Sequence, residues 1–173
     1  PALRLFPSAY SINAAISACE KGGRWQLALG LLDGMAAWKV PPDVISYNAA
    51  LSALEKGGQW QLALSRLSAM PAARVAPDEI SHNAVISACG MGAQWHLALH
   101  LLSRMPSTRV APGETSYSAA LGACKRGTQW QQALGVLAAM QRRRLEPSGI
   151  MWGSALGGVA AGGGASCDLP ASL

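Results

Sequence analysis

Asn13, Asn48 and Asn83 recur at intervals of 35 residues and Ser118 takes the next place, while Asp43, Asp78, Gly113 and Ser148 repeat at the same spacing. An Asn side chain carries a donor and acceptors, whereas a carboxylate only accepts. One such pair per interval suits recognition through hydrogen bonds rather than bond making. The partners that catalysis needs are missing: the chain has no G-x-S-x-G, P-loop, H-E-x-x-H, or H-x-E followed by P-C-x-x-C. Glu20 and Glu55 stand beside Lys21 and Lys56, where solvation and a local charge pair account for them. No metal or cofactor is expected. His82, His96 and His100 fall at unrelated places in the interval with no Cys nearby, and there is no C-x-x-C. Cys19, Cys89 and Cys124 share one position with Leu54, which marks it as apolar core. The chain reads as a non-enzyme.

The helices that must present these residues follow from the rest of the interval. Trp25, Trp60, Trp95 and Trp130 are 35 residues apart, each followed by Ala-Leu three and four residues later, and Met35, Met70, Met105 and Met140 keep step. The chain is therefore an array. In its second unit Tyr47, Leu51 and Leu54 recur at i, i+4 and i+7, the pattern of a short amphipathic helix, which Gly57-Gly58 stops. Trp60, Ala63, Leu64, Leu67 and Met70 then line one face of a second helix that ends at Pro71. Units run over 9–43, 44–78, 79–113 and 114–148. Residues 149–161 match a first helix alone and are expected to cap the array, with 162–173 a disordered tail and 1–8 the end of a preceding repeat. Two short helices cannot bury their apolar faces alone, so the units must stack. The predicted fold is all-α: a right-handed α-solenoid with a groove.

Asp43 and Asp78 follow Pro42 and Pro77 and suit the N-cap of the next first helix, so part of the polar pattern is structural. The Trp stripe shares its spacing with Ala, Leu and Met, which places it in the interhelical core rather than on a stacking surface. Of 173 residues, 50% are hydrophobic and only 13% charged, with a net charge of +5, compatible with a polyanion partner but not diagnostic of one. The uncharged stretch from Pro147 to Cys167 has G-x-x-x-G spacing, but it keeps the first-helix register, is rich in Gly and has few bulky aliphatics, so no membrane span is expected. Arg142-Arg143-Arg144 read as a solvated cluster after a helix C-terminus.

The stretch SYNAALSALEKGGQWQLALSRLSAMPAARVAPD resembles a pentatricopeptide repeat of the 35-residue P type, and the likeness extends from Ala9 to Ser148. The tetratricopeptide class has a different period, and its W-x2-L-G-x2-Y pattern is absent here. What the resemblance implies is binding of single-stranded RNA, one base per repeat, in RNA processing, stability or translation in chloroplast or mitochondrion. In that family the first-helix polar residue and the last residue of the same repeat select the base. This pairs Asn13 with Asp43, Asn48 with Asp78, Asn83 with Gly113 and Ser118 with Ser148. A carboxylate needs a base with an imino N–H, which uracil and guanine have and cytosine and adenine lack. The family associates Asn with pyrimidines, so repeats 1 and 2 are expected to read U. The third repeat should favour a pyrimidine without telling U from C, and the fourth is undetermined.

The family's stacking residue falls on Ile45, Ile80 and Ile150, with Tyr10 and Thr115 as departures. Its phosphate contacts fall on Lys21, Lys56 and Arg126, with Met91 interrupting the row. About three such contacts give a slope of log affinity against log salt near −2. The alternative to RNA binding is a protein-binding α-solenoid scaffold, and a third reading is the recognition segment of an RNA-editing or nuclease protein. A monomer is expected, with single-stranded RNA as the main partner, protein partners as a second class, and no membrane partner.

Overall fold

The residue before each first helix decides where that helix starts. The computed structural model describes residues 7–161, without the side chains of 158–161. Residues 1–6, part of the segment assigned to a preceding repeat, and the proposed tail 162–173 lie outside the described residues. Ser8 caps α1 (Ala9–Lys21) by accepting from the Ser11 N–H. Asp43 and Asp78 do the same for α3 (Val44–Lys56) and α5 (Glu79–Met91), each in a capping box whose Ser46 or Ser81 hydroxyl accepts from the Asp N–H. Such a cap contributes about 1 kcal/mol. α7 (Glu114–Arg126) begins after Gly113, which has no side chain to give, although Ser116 Oγ still accepts from the Gly113 N–H. Gly22, Gly57, Gly92 and Gly127 close these helices, and the residue after each is left-handed: Gly23, Gly58, Ala93 and Thr128.

The second helices are α2 (Trp25–Gly34), α4 (Trp60–Ala69), α6 (Trp95–Arg104) and α8 (Trp130–Arg142). α8 runs on to Arg142 where Gln141 replaces Pro71 and Pro106 of the two preceding units. Their apolar stripe is buried: Ala63 and Leu67 in α4 and Ala98 and Leu102 in α6, continued by the repeating methionines, all four at 0 to 1% exposure. Burying one such side chain contributes about 2 kcal/mol. After each methionine the chain makes the same stop. Lys39, Arg74, Arg109 and Arg144 take φ of 58°, 59°, 62° and 60°, and the next residue, Val40, Val75, Val110 or Leu145, donates its N–H back to the methionine carbonyl. This is the Schellman arrangement, with a basic residue where glycine is usual.

The first helices stack on one another in the order α1, α3, α5, α7, α9 (Gly149–Ala161), and each second helix packs against its own first helix and the next one. No strand occurs among the described residues. The architecture is an all-α solenoid. Its interfaces share one device: a Cβ added to Gly57, Gly92 or Gly127 would lie 2.5, 2.3 or 2.5 Å from Cδ1 of Trp25, Trp60 or Trp95 of the preceding unit. Each indole thus sits flat on a helix end that only glycine leaves open. Trp130, whose counterpart glycine is at position 162, is 39% exposed. No helix is long and apolar enough to cross a membrane, and no group of three His, Cys, Asp or Glu is placed to hold a metal, both among the described residues.

Candidate nucleic-acid interface

The stacking brings the recurring polar residues together, because in the first two units the Asn of a first helix lies against the capping residue of the next first helix. Asn13 Nδ2 donates to both oxygens of Asp43, at 3.2 and 3.3 Å, and Asn48 Nδ2 to both oxygens of Asp78, at 3.1 Å each. The bonds span 30 residues of sequence and tie the first helix of each unit to its last residue, which caps the next first helix. Oδ1 of each Asp is well used: Asp43 Oδ1 also accepts from Ser46 N and Oγ at 2.8 and 2.7 Å, and Asp78 Oδ1 from Ser81 N and Oγ at 2.8 and 2.9 Å. Oδ2 accepts only the shared Asn hydrogen, so it keeps a lone pair for a further donor. Beside it the second hydrogen of the Asn amide is free among the described residues. Each pair thus offers an acceptor and a donor about 3 Å apart.

Burial pushes the Asp43 carboxyl up, but bonds from the Ser46 side chain and backbone and from Asn13 outweigh it and hold the group below its ordinary range. Asp78 is likewise raised by burial and lowered further by the Ser81 backbone and side chain and by Asn48. Both are therefore carboxylates at neutral pH. The Asn side chains differ in what holds their oxygen. Asn48 Oδ1 faces the Ser81 hydroxyl, whereas Asn13 Oδ1 and Asn83 Oδ1 are buried without a partner among the described residues.

The third and fourth pairs are built otherwise. Asn83 Nδ2 donates to Thr115 Oγ1 at 2.9 Å, not to the backbone-only Gly113. Ser118 is exposed and Ser148 half-buried, and neither side chain makes a hydrogen bond among the described residues. Asn83, Thr115 and Ser118 line one open concavity of about 560 Å³, together with Ile80 and Arg126. Ile45, Ile80 and Ile150 are 61%, 60% and 82% exposed, and Tyr10, at the same repeat position, is 84% exposed. Large apolar side chains that stay this open are available to the face of a planar ligand. Two other clefts, of about 350 and 550 Å³, run between successive second helices and hold none of the recurring polar pairs.

The basic row is less free than its spacing suggests. Lys21 is exposed and unpaired among the described residues, but Lys56 Nζ meets Glu20 Oε1 at 2.9 Å. Arg126 Nε donates to the Gly90 carbonyl at 2.8 Å, its guanidinium lying where a Cβ on Gly90 would stand. The spacing of basic residues gave no sign of these partners, since Glu20 and Gly90 belong to the preceding unit.

The sequence model of the pentatricopeptide repeat domain matches residues 30–92, and that of the PPR repeat matches residues 10–40 and 80–110; together they run without a gap over more than half of the chain. The chain belongs to the pentatricopeptide repeat family. This pentatricopeptide repeat protein has the fold of solved members. It is similar to the pentatricopeptide repeat protein PPR10 from maize, with a TM-score of 0.75 and 23% identity over 91% of this chain and 22% of that one. Against PPR10 in complex with an 18-nt psaJ RNA element the TM-score is 0.78, at 22% identity over 90% of this chain and 23% of that one. The PPR domain of Arabidopsis thaliana protein-only RNase P 1, in complex with tRNA, gives 0.72 at 14% identity, over 86% of this chain and 79% of that one. The chain thus spans about a fifth of the length of the maize protein. A comparison with curated proteins finds no match.

Proposed function

We propose that this pentatricopeptide repeat chain binds single-stranded RNA and that its first two units each read uracil. The observation that carries the reading is the pair of Asn–Asp bridges, each presenting one free acceptor beside one free donor. Uracil has a carbonyl next to an imino N–H on its Watson–Crick edge, the complement of that pair. Cytosine offers a lone pair at the imino position, which would face the carboxylate and repel it. Family membership supports the assignment, since repeats of this class read one base each, and the PPR10 complex is one of a solved relative with RNA.

Between neighbouring bases the exposed Ile45, Ile80 and Ile150 are the proposed stacking surfaces, with Tyr10 at the first unit. Phosphates fall to Lys21, Lys56 and Arg126. Because the last two are already engaged, the salt slope should lie between about −0.7, for Lys21 alone, and about −2, for all three. The setting that the family implies is RNA metabolism in chloroplast or mitochondrion.

The experiment is fluorescence anisotropy with short single-stranded RNAs carrying UU, CC, AA or GG in a fixed context, for the native chain and for Asp43→Asn with Asp78→Asn. Preference for UU that moves toward CC in the double substitution supports base reading. Binding that follows salt and ignores sequence reduces the claim to a basic groove, and no binding at low salt favours a protein-binding scaffold.

A further inference from the structure

The third unit ends in Gly113, so by sequence it brings no carboxylate to its pair. In the fold one is there. A Cβ on Gly113 would lie 2.6 Å from Glu79 Oε1, so the Glu79 carboxylate fills the space that the side chain of residue 113 would take. Glu79 is the first residue of α5, at the opposite end of the same unit, and it reaches forward to the start of α7. There Glu79 Oε1 accepts from Ser116 Oγ at 3.3 Å and from Thr115 Oγ1 at 3.0 Å. Ser116 holds the repeat position of Ser46 and Ser81, whose hydroxyls donate to Asp43 and Asp78 at 2.7 and 2.9 Å. The serine has kept its role while its carboxylate comes from another residue.

We propose that Glu79 is the specificity-determining carboxylate of the third unit, in place of the Asp that Gly113 lacks; this rests on the base-reading function proposed above. Asn83 joins it through one intermediate. Its Nδ2 donates to Thr115 Oγ1, and that hydroxyl donates to Glu79 Oε1, so an Asn–Thr–Glu relay replaces the direct Asn–Asp bridge of the first two units. Oε2 accepts no hydrogen bond among the described residues and remains open to a base N–H. The preceding unit shows the reverse exchange: Val44 stands at the position of Glu79, and Asp78 at that of Gly113. An Asp at 113 with Glu79 in place would force two carboxylates into one space, which like charges oppose. The third unit therefore reads U and rejects C, rather than taking either pyrimidine.

The test uses the full chain and single-stranded RNAs in which each nucleotide is varied in turn, with affinities from anisotropy. The unaltered chain should prefer U to C at the nucleotide facing the third unit by about tenfold, the discrimination one well-placed hydrogen-bonding contact provides. Glu79→Gln should abolish that preference at this nucleotide alone, because an amide donates as well as accepts and so tolerates C. Glu79→Val together with Gly113→Asp rebuilds the arrangement of the preceding unit and should restore it. A Glu79→Gln chain with a lower urea midpoint but an unchanged U-to-C ratio would leave Glu79 a structural role and overturn the proposal. So would failure of the paired substitution to restore the preference. Preference at the first two units with none at the third overturns this inference alone; no preference at any of the three overturns base reading as well.

Discussion

Gly92→Ala and Gly22→Ala make the same change at the same repeat position and should move stability in opposite directions. Both glycines end a first helix at negative φ, −80° and −82°, so alanine meets no backbone penalty at either. At Gly92 the new methyl would stand 2.3 Å from Trp60 Cδ1 and 2.7 Å from Nε1. The obstacle is a half-buried indole packed against the core, not the tip of a flexible chain, so the ring must leave its seat. Overpacking of this kind costs about 1–3 kcal/mol. At Gly22 the nearest atom among the described residues is a carbonyl of its own helix at 3.4 Å, an ordinary contact. Alanine there gains about 0.4–1 kcal/mol by narrowing the unfolded ensemble. Urea denaturation followed by circular dichroism should lower the midpoint for Gly92→Ala and raise it slightly for Gly22→Ala. In a Trp60→Ala background the penalty at Gly92 should vanish, the signature of direct coupling. Equal and small shifts for the two variants, or a penalty at Gly92 that survives removal of Trp60, would refute the account of the interface.

Three further outcomes are expected. Cys89 and Cys124, whose thiols burial pushes up to about 11, should resist a thiol reagent at neutral pH in the folded chain while half-buried Cys19 reacts, measured in a Cys167→Ser background. Asp43 and Asp78 titrate below their ordinary value of 3.8 when folded, so their stabilisation is present above that value and lost as the pH falls through the lower, folded one. Urea midpoints taken at decreasing acid pH should fall less steeply for Asp43→Asn with Asp78→Asn than for the native chain. Arg109→Gly relieves a left-handed φ of 62° and should raise stability by about 0.5 kcal/mol, the strain of about 1 kcal/mol less the helix-terminus attraction of the cation; a lowered urea midpoint would contradict this.

The period of Trp, Ala-Leu and Met made the architecture legible in the sequence, because a solenoid needs every unit to bury the same stripe against its neighbours. Asp43 and Asp78 were legible twice over, as residues that follow proline and suit an N-cap. What the sequence hid depends on which side chain reaches into the next unit. Glu79 bears no mark that distinguishes it from a solvated first-turn acid, and only the space above Gly113 reveals its aim. Gly57 reads as a helix stop, yet its greater service, like that of Gly92, is to seat an indole from the unit before. The left-handed turn at Lys39, Arg74, Arg109 and Arg144 was invisible because the glycine that normally announces it is replaced by a cation. The partners that hold Lys56 and Arg126 were hidden because they lie 36 residues away.

The last residue of each unit also stands at the start of the next helix, and on the proposed reading that double duty restricts how such an array can change. A substitution at 43, 78, 113 or 148 is judged once by the ligand and once by the helix that starts after it. The residues found there, Asp, Asp, Gly and Ser, are all among those that open helices well. Leucine or lysine at 43 or 78 would leave an N-terminal N–H without its acceptor whatever it did for recognition. The alphabet in which these units can be rewritten is thus short before any ligand is considered, and a carboxylate supplied from the other end of the same unit, as proposed for Glu79, is one way to add a letter to it.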